Sequence, residues 1–398
     1  MLKRYSMKQV YMATLCLYLV SLPLNAINIG SFGSAAKVLA IFPVFFAVFS
    51  GNSLRVSKMV GWQFFFTAFA CLSIFWSVNL SESFSRAITY ILLFLLLASG
   101  TFFDYTKKDL DTIQKTLVWS SRITAVVAFL FAQYVGGRLT LVNSVIKEDP
   151  NYLCGYYCFG LVYALSVLMQ KDKKIYQKVF AVVEIIAYLY LVLMSGSRGG
   201  ILAIVAAVLV FLLFAHNRGK NSIGKRVVLL VVIYAMFSVG IELLPEVLKS
   251  RFDFAAALDS GATGRFDLWD NALKLFGDSG ILRKFFGQGT ATAQWCLQYY
   301  HFNTVNVIHN MFIETLLELG IVGFCLYTGA IFYFVKEAFY QEDRFAFAVI
   351  AGMVVLSFST SIYSFKPYFH IMLYIILCNN RLPEEEMLPE SAREIQGR

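Results

Sequence analysis

The sequence predicts an all-α, polytopic membrane protein of about twelve transmembrane helices with one long extracytoplasmic loop. Three observations predict it. Of 398 residues, 58% are hydrophobic and only 15% charged, against roughly 45–50% and about 25% in soluble domains. Apolar runs recur along the chain at the length a bilayer core requires, roughly 20 residues for about 30 Å. Most of the 34 Lys and Arg residues fall in alternate segments between these runs, the bias that sets membrane orientation. The formal charge of +9 is thus spread over short loops as a topology signal, which argues against a nucleic-acid-binding surface.

Taken in order, the apolar runs lie near residues 10–26, 35–50, 61–77, 86–103, 118–135, 152–169, 176–194, 199–215, 226–243, 309–335, 345–363 and 367–380. The first follows Lys3, Arg4 and Lys8 with no small-residue cleavage site behind it, so it reads as a retained helix. Charge places both termini in the cytoplasm. The chain then divides into nine spans over 1–242, an extracytoplasmic loop with short helices over 243–308, three spans over 309–380, and a polar tail over 381–398. That tail has no apolar periodicity and is expected to be disordered and cytoplasmic. The seven cysteines are odd in number and sit mostly inside apolar runs, so they read as small core residues. Cys154 and Cys158 share a helix face, but no His or further Cys stands at zinc-ligand spacing, and no metal site is expected.

The stretch from Leu243 to Ile308 is the exception to the short loops. It carries Arg251, Arg265, Arg283, Lys284 and His301, with His309 at its exit. Within it, Thr263 is the expected N-cap of a helix whose apolar residues Phe266, Trp269, Leu273 and Phe276 have helical spacing, with Arg265 at the start. A guanidinium there can grip phosphate oxygens in bidentate fashion, or it can pair with Asp267 or Asp270. Gly287-Gln288-Gly289-Thr290 reads as a turn, and without a Walker lysine it gives no support to nucleotide hydrolysis.

Two helix starts face the same side as this loop. Ser195-Gly196-Ser197-Arg198-Gly199-Gly200 forms a tight turn in which Ser197 can cap the next helix and the glycines admit a ligand to the backbone. With Arg198 adjacent, this is an anion site; the alternative is a turn with a snorkelling arginine. The second start reads His309-Asn310-Met311-Phe312-Ile313-Glu314, continuing to Glu318. A neutral histidine at the positive end of a helix suits a general base. Glu314 and Glu318 lie one turn apart inside a span, where acidic groups are costly and functional by default; the alternative is pairing with an arginine such as Arg122.

In this order, the S-x-S-R-G-G turn, the G-R-x-x-x-W helix start at Gly264 to Trp269, the G-x-G turn and H-N-x-F-I-E-x-x-L-E-x-G-x-x-G from His309 to Gly323 resemble the O-antigen ligase and polymerase family of bacterial envelopes. The segments SIFWSVNLSES at 73–83 and EDPNYLCGYY at 148–157 add to the resemblance less specifically. The resemblance implies a GT-C-type glycosyltransferase fold and transfer of a glycan from undecaprenyl diphosphate outside the cytoplasm, without nucleotide, metal or other cofactor. It implies Arg198 and Arg265 as diphosphate-binding residues and His309 as the base. Ser197, Gly199, Glu314, Glu318, Arg283, Lys284 and His301 are weaker substrate-binding candidates, the last three without counterpart in the family pattern.

The expected reaction is polymerisation of lipid-linked repeat units into capsule, O-antigen or exopolysaccharide. A ligase passing the finished chain to lipid A core or another acceptor would use the same chemistry. Besides the lipid-linked glycan and the bilayer, the expected partners are a flippase and a chain-length regulator of the same pathway. A transporter of lipid-linked oligosaccharide is the competing class, but transporters favour repeated halves and midplane sites, and no internal repeat is visible.

Overall fold

The computed structural model describes residues 6–21, 35–135, 137–142, 147–148, 150–214, 221–253, 261–299, 307–361 and 366–383. Helices dominate. The first half contains α1 (Met7–Val20), α2 (Ala35–Val48), α3 (Lys58–Leu72, extended by a 3-10 turn Ser73–Trp76), α4 (Leu80–Ser99) and α5 (Lys107–Phe131). Next come α6 (Pro150–Met169), α7 (Ile175–Ser195), α8 (Arg198–Leu213) and α9 (Asn221–Glu242). Four shorter or amphipathic helices follow, α10 (Glu246–Lys249), α11 (Gly261–Asp278), α12 (Ile281–Phe286) and α13 (Ala293–Tyr299). The chain closes with α14 (Met311–Tyr340), α15 (Arg344–Leu356) and α16 (Lys366–Asn379).

Every apolar run is helical over most of its length, yet six helices among the described residues are long and apolar enough to cross a membrane. These are Lys58–Trp76, Leu80–Ser99, Pro150–Met169, Ile175–Ser195, Ile223–Glu242 and Met311–Tyr340. Apolar runs and helices differ in extent because capping, not hydropathy, ends a helix. The first run continues to residue 26, but α1 begins at a Ser6/Gln9 capping box and ends at Val20. The helix α5 starts far earlier than its apolar run, because Thr106 and Asp109 form another capping box ahead of a polar first half. Its Arg122 pairs in bidentate fashion with Glu184 of α7, at 2.6 and 3.1 Å. The alternative that Arg122 serves Glu314 and Glu318 is thereby set aside.

One small sheet stands among the helices of this all-α architecture. Between α5 and α6, β1 (Gln133–Val135), β2 (Arg138–Val142) and β3 (Lys147–Glu148) form an antiparallel sheet in the order β1-β2-β3. Gly137 turns the first hairpin with φ 75°, a backbone region open to glycine.

The core lies where α6, α8, α15 and α16 meet. Ala203 and Ala207 of α8 face Gly352 of α15, where an added Cβ would stand 2.9 Å from the Ala203 carbonyl oxygen and 3.0 Å from the Ala207 methyl. Small residues at such a crossing let the backbones approach, as membrane helix pairs require.

Helix ends sort into two faces. On one, Lys8 pairs with Asp109 at 2.6 Å, Arg55 pairs with Asp104, and Tyr105 exchanges backbone hydrogen bonds with Asn380 and Leu382 at 2.9 Å each. The start of the tail, expected to be disordered from residue 381, is therefore docked as far as Leu382, while residues 384–398 lie outside the described residues. On the other face stand the segments that carry the motifs.

Candidate active site

At the start of α8, Ser197 accepts a hydrogen bond from Gly200 N at 2.9 Å and donates to Asn151 Oδ1 at 2.5 Å. The helix cap is thereby tied to α6, through a residue of the 148–157 segment. The glycines are not open to a ligand. A Cβ on Gly199 would collide with Ser359, and one on Gly200 with Cys154. Gly199 is small to admit the 357–361 turn after α15, and Ser197 is fully engaged, so neither offers a ligand the access expected of it.

Arg198 remains beside this packed turn. Its Nε donates to the Arg251 carbonyl at 2.5 Å, which fixes the guanidinium by one edge. Arg138 Nε donates to the Ser195 carbonyl at 2.8 Å, at the end of α7. Burial, and then the charges of Arg138 and Arg198, lower the Arg251 pKa from its ordinary value. Three guanidiniums from β2, α8 and the 3-10 turn Ser250–Phe252 thus share one region, an environment that favours an anion of more than one charge. Arg138 was not among the sequence candidates, and Arg251 was read only as one of the cations of the long loop. The signal for the first was present, a Gly-Gly pair followed by alternating Arg138-Leu-Thr-Leu-Val, which is a hairpin pattern.

His309 lies two residues before α14, whose N-cap Asn310 accepts from Phe312 N and Ile313 N at 3.0 and 3.2 Å. Its φ of 53° is left-handed, a conformation that costs a non-glycine residue about 1–2 kcal/mol. Both flanks hold it there. Trp269 Nε1 donates to the Ile308 carbonyl at 3.0 Å, and Met311 N donates to the Ser357 carbonyl at 2.9 Å. The same 357–361 turn therefore touches the starts of α8 and α14. Trp269 stands one turn after Arg265 on α11, so the helix that carries Arg265 is anchored beside His309.

The amphipathic helix differs in detail from expectation. It begins at Gly261, so Thr263 lies inside it and is not its N-cap. Leu268, Ala272 and Leu275 form its buried face, while Phe266 and Leu273 are exposed. Both stripes satisfy helical spacing, and packing against α13 and the start of α14 decides between them. Asp270 pairs with Lys274 at 2.5 Å, and Arg265 is half-buried.

The G-x-G segment proves to be a wedge. α14 is broken at Gly320 (φ 65°, ψ −167°), and Gln288 N and Gly289 N donate to the Leu317 and Glu318 carbonyls at 3.2 and 2.9 Å. The Glu318 carboxylate accepts from Ala291 N at 2.8 Å and Ala293 N at 3.1 Å. It pins a loop and is not presented to a substrate. Thr290 N donates to Ser73 Oγ at 3.0 Å and Val78 N to the Gln288 carbonyl at 3.0 Å, so the 73–83 segment is the platform for this loop. Arg283 belongs to the same support, donating to the Trp76 carbonyl at 2.7 Å. Lys284 is half-buried in the last turn of α12, and His301 lies outside the described residues. Glu314 is buried, and the charge of Arg86 on α4 acts on it and on Glu318. Arg86, the partner sequence reasoning missed, was legible only as a cation at the start of an apolar run.

Residues 184–328 match the family profile described as O-antigen ligase. The chain is also similar to "Exopolysaccharide production protein ExoQ" of Rhizobium meliloti (strain 1021), 24% identical over 302 residues that cover 71% of this chain and 67% of the relative. The matched segment contains Arg198, Arg265 and His309. The motifs, the apolar helices and these two similarities together mark the chain as a multi-pass membrane protein that resembles the O-antigen ligase and polymerase enzymes of polysaccharide biosynthesis.

Proposed function

We propose that the chain is a glycosyltransferase of GT-C-type fold with about twelve membrane crossings, which polymerises undecaprenyl-diphosphate-linked repeat units into a surface polysaccharide. The reaction takes place on the outer side of the bacterial cytoplasmic membrane, without metal and with inversion. One observation carries the reading: a three-arginine cluster and a strained histidine are joined at one rim through the 357–361 turn.

In this mechanism the acceptor hydroxyl gives its proton to His309, and its oxygen attacks the anomeric carbon opposite the diphosphate. The bond from that carbon to the diphosphate oxygen breaks, and the electron pair leaves on the diphosphate. Arg198 and Arg265 offset the charge that grows there, with Arg138 and Arg251 adding to the field. A single displacement inverts the configuration. The resemblance to an exopolysaccharide production protein supports polymerisation, while the family description supports the ligase reading. A flippase would supply the donor, and a chain-length regulator would act on the product.

The test is incubation of purified protein in a bilayer with a lipid-linked repeat unit, followed by gel analysis. A ladder of products is expected. Transfer only to an added acceptor would establish the ligase, and no product in either format would reject the enzyme reading. Chelation by EDTA is expected to leave the rate unchanged; loss restored by a divalent ion would remove the metal-independent part.

A further inference from the structure

Beside the arginine rim is a second feature that the mechanism does not use. A polar cavity of about 230 Å³ is lined by Arg86, Glu314, Glu318, Gln294, Trp295 and Gln298, and by Ile308 next to His309. Glu314 is only 2% exposed, yet its Oε2 meets no hydrogen-bond partner among the described residues. A buried carboxyl oxygen without a partner is costly unless a ligand or water satisfies it.

We propose that this cavity binds the terminal sugar of the acceptor glycan. The inference rests on the glycosyltransferase reading. Its chemistry sets apart the other substrates of that reading: its lining carries the three acidic side chains Glu82, Glu314 and Glu318 with Arg86, a poorer match to a diphosphate than the three-arginine cluster, and polar walls do not suit a polyprenyl chain. A cation is equally disfavoured, because Arg86 is adjacent and both Glu318 oxygens already accept from Ala291 and Ala293 N–H groups. A pyranose presents hydroxyls that both donate and accept together with an apolar ring face. Glu314 accepts, Arg86 and the two glutamine amides donate, and the half-buried Trp295 indole offers a flat apolar surface with one polar edge. The position agrees as well. Ile308, which lines the cavity, is the chain neighbour of His309, so a sugar held there lies next to the segment that carries the base, while the diphosphate is assigned to the arginine cluster.

The probe is lipid-free oligosaccharide obtained by partial hydrolysis of the polysaccharide that the host strain makes. Two measurements use the full chain in nanodiscs: saturation-transfer NMR of oligosaccharide binding, and the KM for oligosaccharide and for lipid-linked donor separately. Glu314→Gln and Trp295→Ala are expected to raise the oligosaccharide KM about three- to tenfold, as loss of a hydrogen bond or of a flat apolar face predicts, with donor KM within about twofold. Gln298→Ala, at an exposed position, supplies a variant that leaves folding intact and should raise the same KM in the same direction. Binding lost in the variants without any transfer by the wild type would support the cavity and reject the glycosyltransferase reading. Transfer with oligosaccharide KM and binding unchanged in all three variants would overturn the cavity assignment alone, as would a rise confined to donor KM.

Discussion

His309 combines a left-handed backbone with a place between two anchored neighbours, and such strain persists only where the surroundings over-determine it. His309→Ala is expected to lower transfer by about 10²–10⁴-fold, the range of a lost general base, with the protein still eluting as a folded species. Arg198→Lys is expected to behave almost as poorly as Arg198→Ala. Lysine has no Nε–H edge to hold the Arg251 carbonyl while a second edge meets an anion. Near wild-type transfer by His309→Ala would remove it as the base. At this scale the sequence marked three candidates, Arg198, Arg265 and His309, because each stands in a recognisable local pattern. Arg86, Arg138 and Arg251 have no such pattern, and only their convergence in space gives them meaning.

Among the elements, α14 and the loop at 287–291 are interdependent. The break at Gly320 turns the Leu317 and Glu318 carbonyls towards the loop, and the loop supplies the N–H groups they need. An unsatisfied buried carbonyl would cost about 1–3 kcal/mol. A Cβ at Gly287, where φ is 78°, would meet the Glu318 backbone carbonyl directly. Gly287→Ala is therefore expected to lower stability by at least about 2 kcal/mol, read as a fall in apparent Tm in detergent. Gly277→Ala should change it little, since nothing lies within 4 Å of that added Cβ. Equal Tm values for the two would show that the wedge does not hold the helix break. The sequence marked G-x-G only as a turn, because a positive φ is legible but the element it docks against is not.

For the molecule as a whole, the contacts among helix ends test the orientation derived from charge. Lys8, Arg55 and the 104–109 segment, which alternation assigns to one side, meet there with Arg381. The 73–83, 138, 198, 251, 287–291 and 357–361 segments meet on the other. With the outer side assigned to the motifs, Lys274→Cys is expected to react with a membrane-impermeant maleimide applied from outside. Lys174→Cys should react only after permeabilisation, and the reverse pattern would invert the proposed topology. The sequence by itself determined a helical membrane protein, the alternation of its ends, and the motifs that mark one rim, because hydropathy, charge bias and capping residues are properties of local segments. Tertiary structure alone decided that the glycines of the 195–200 turn are filled by Ser359 and Cys154, that Glu318 holds a loop, and that three arginines gather from β2, α8 and the turn after α10. Those outcomes depend on packing between segments far apart in the chain, and no local pattern encodes which surfaces will meet.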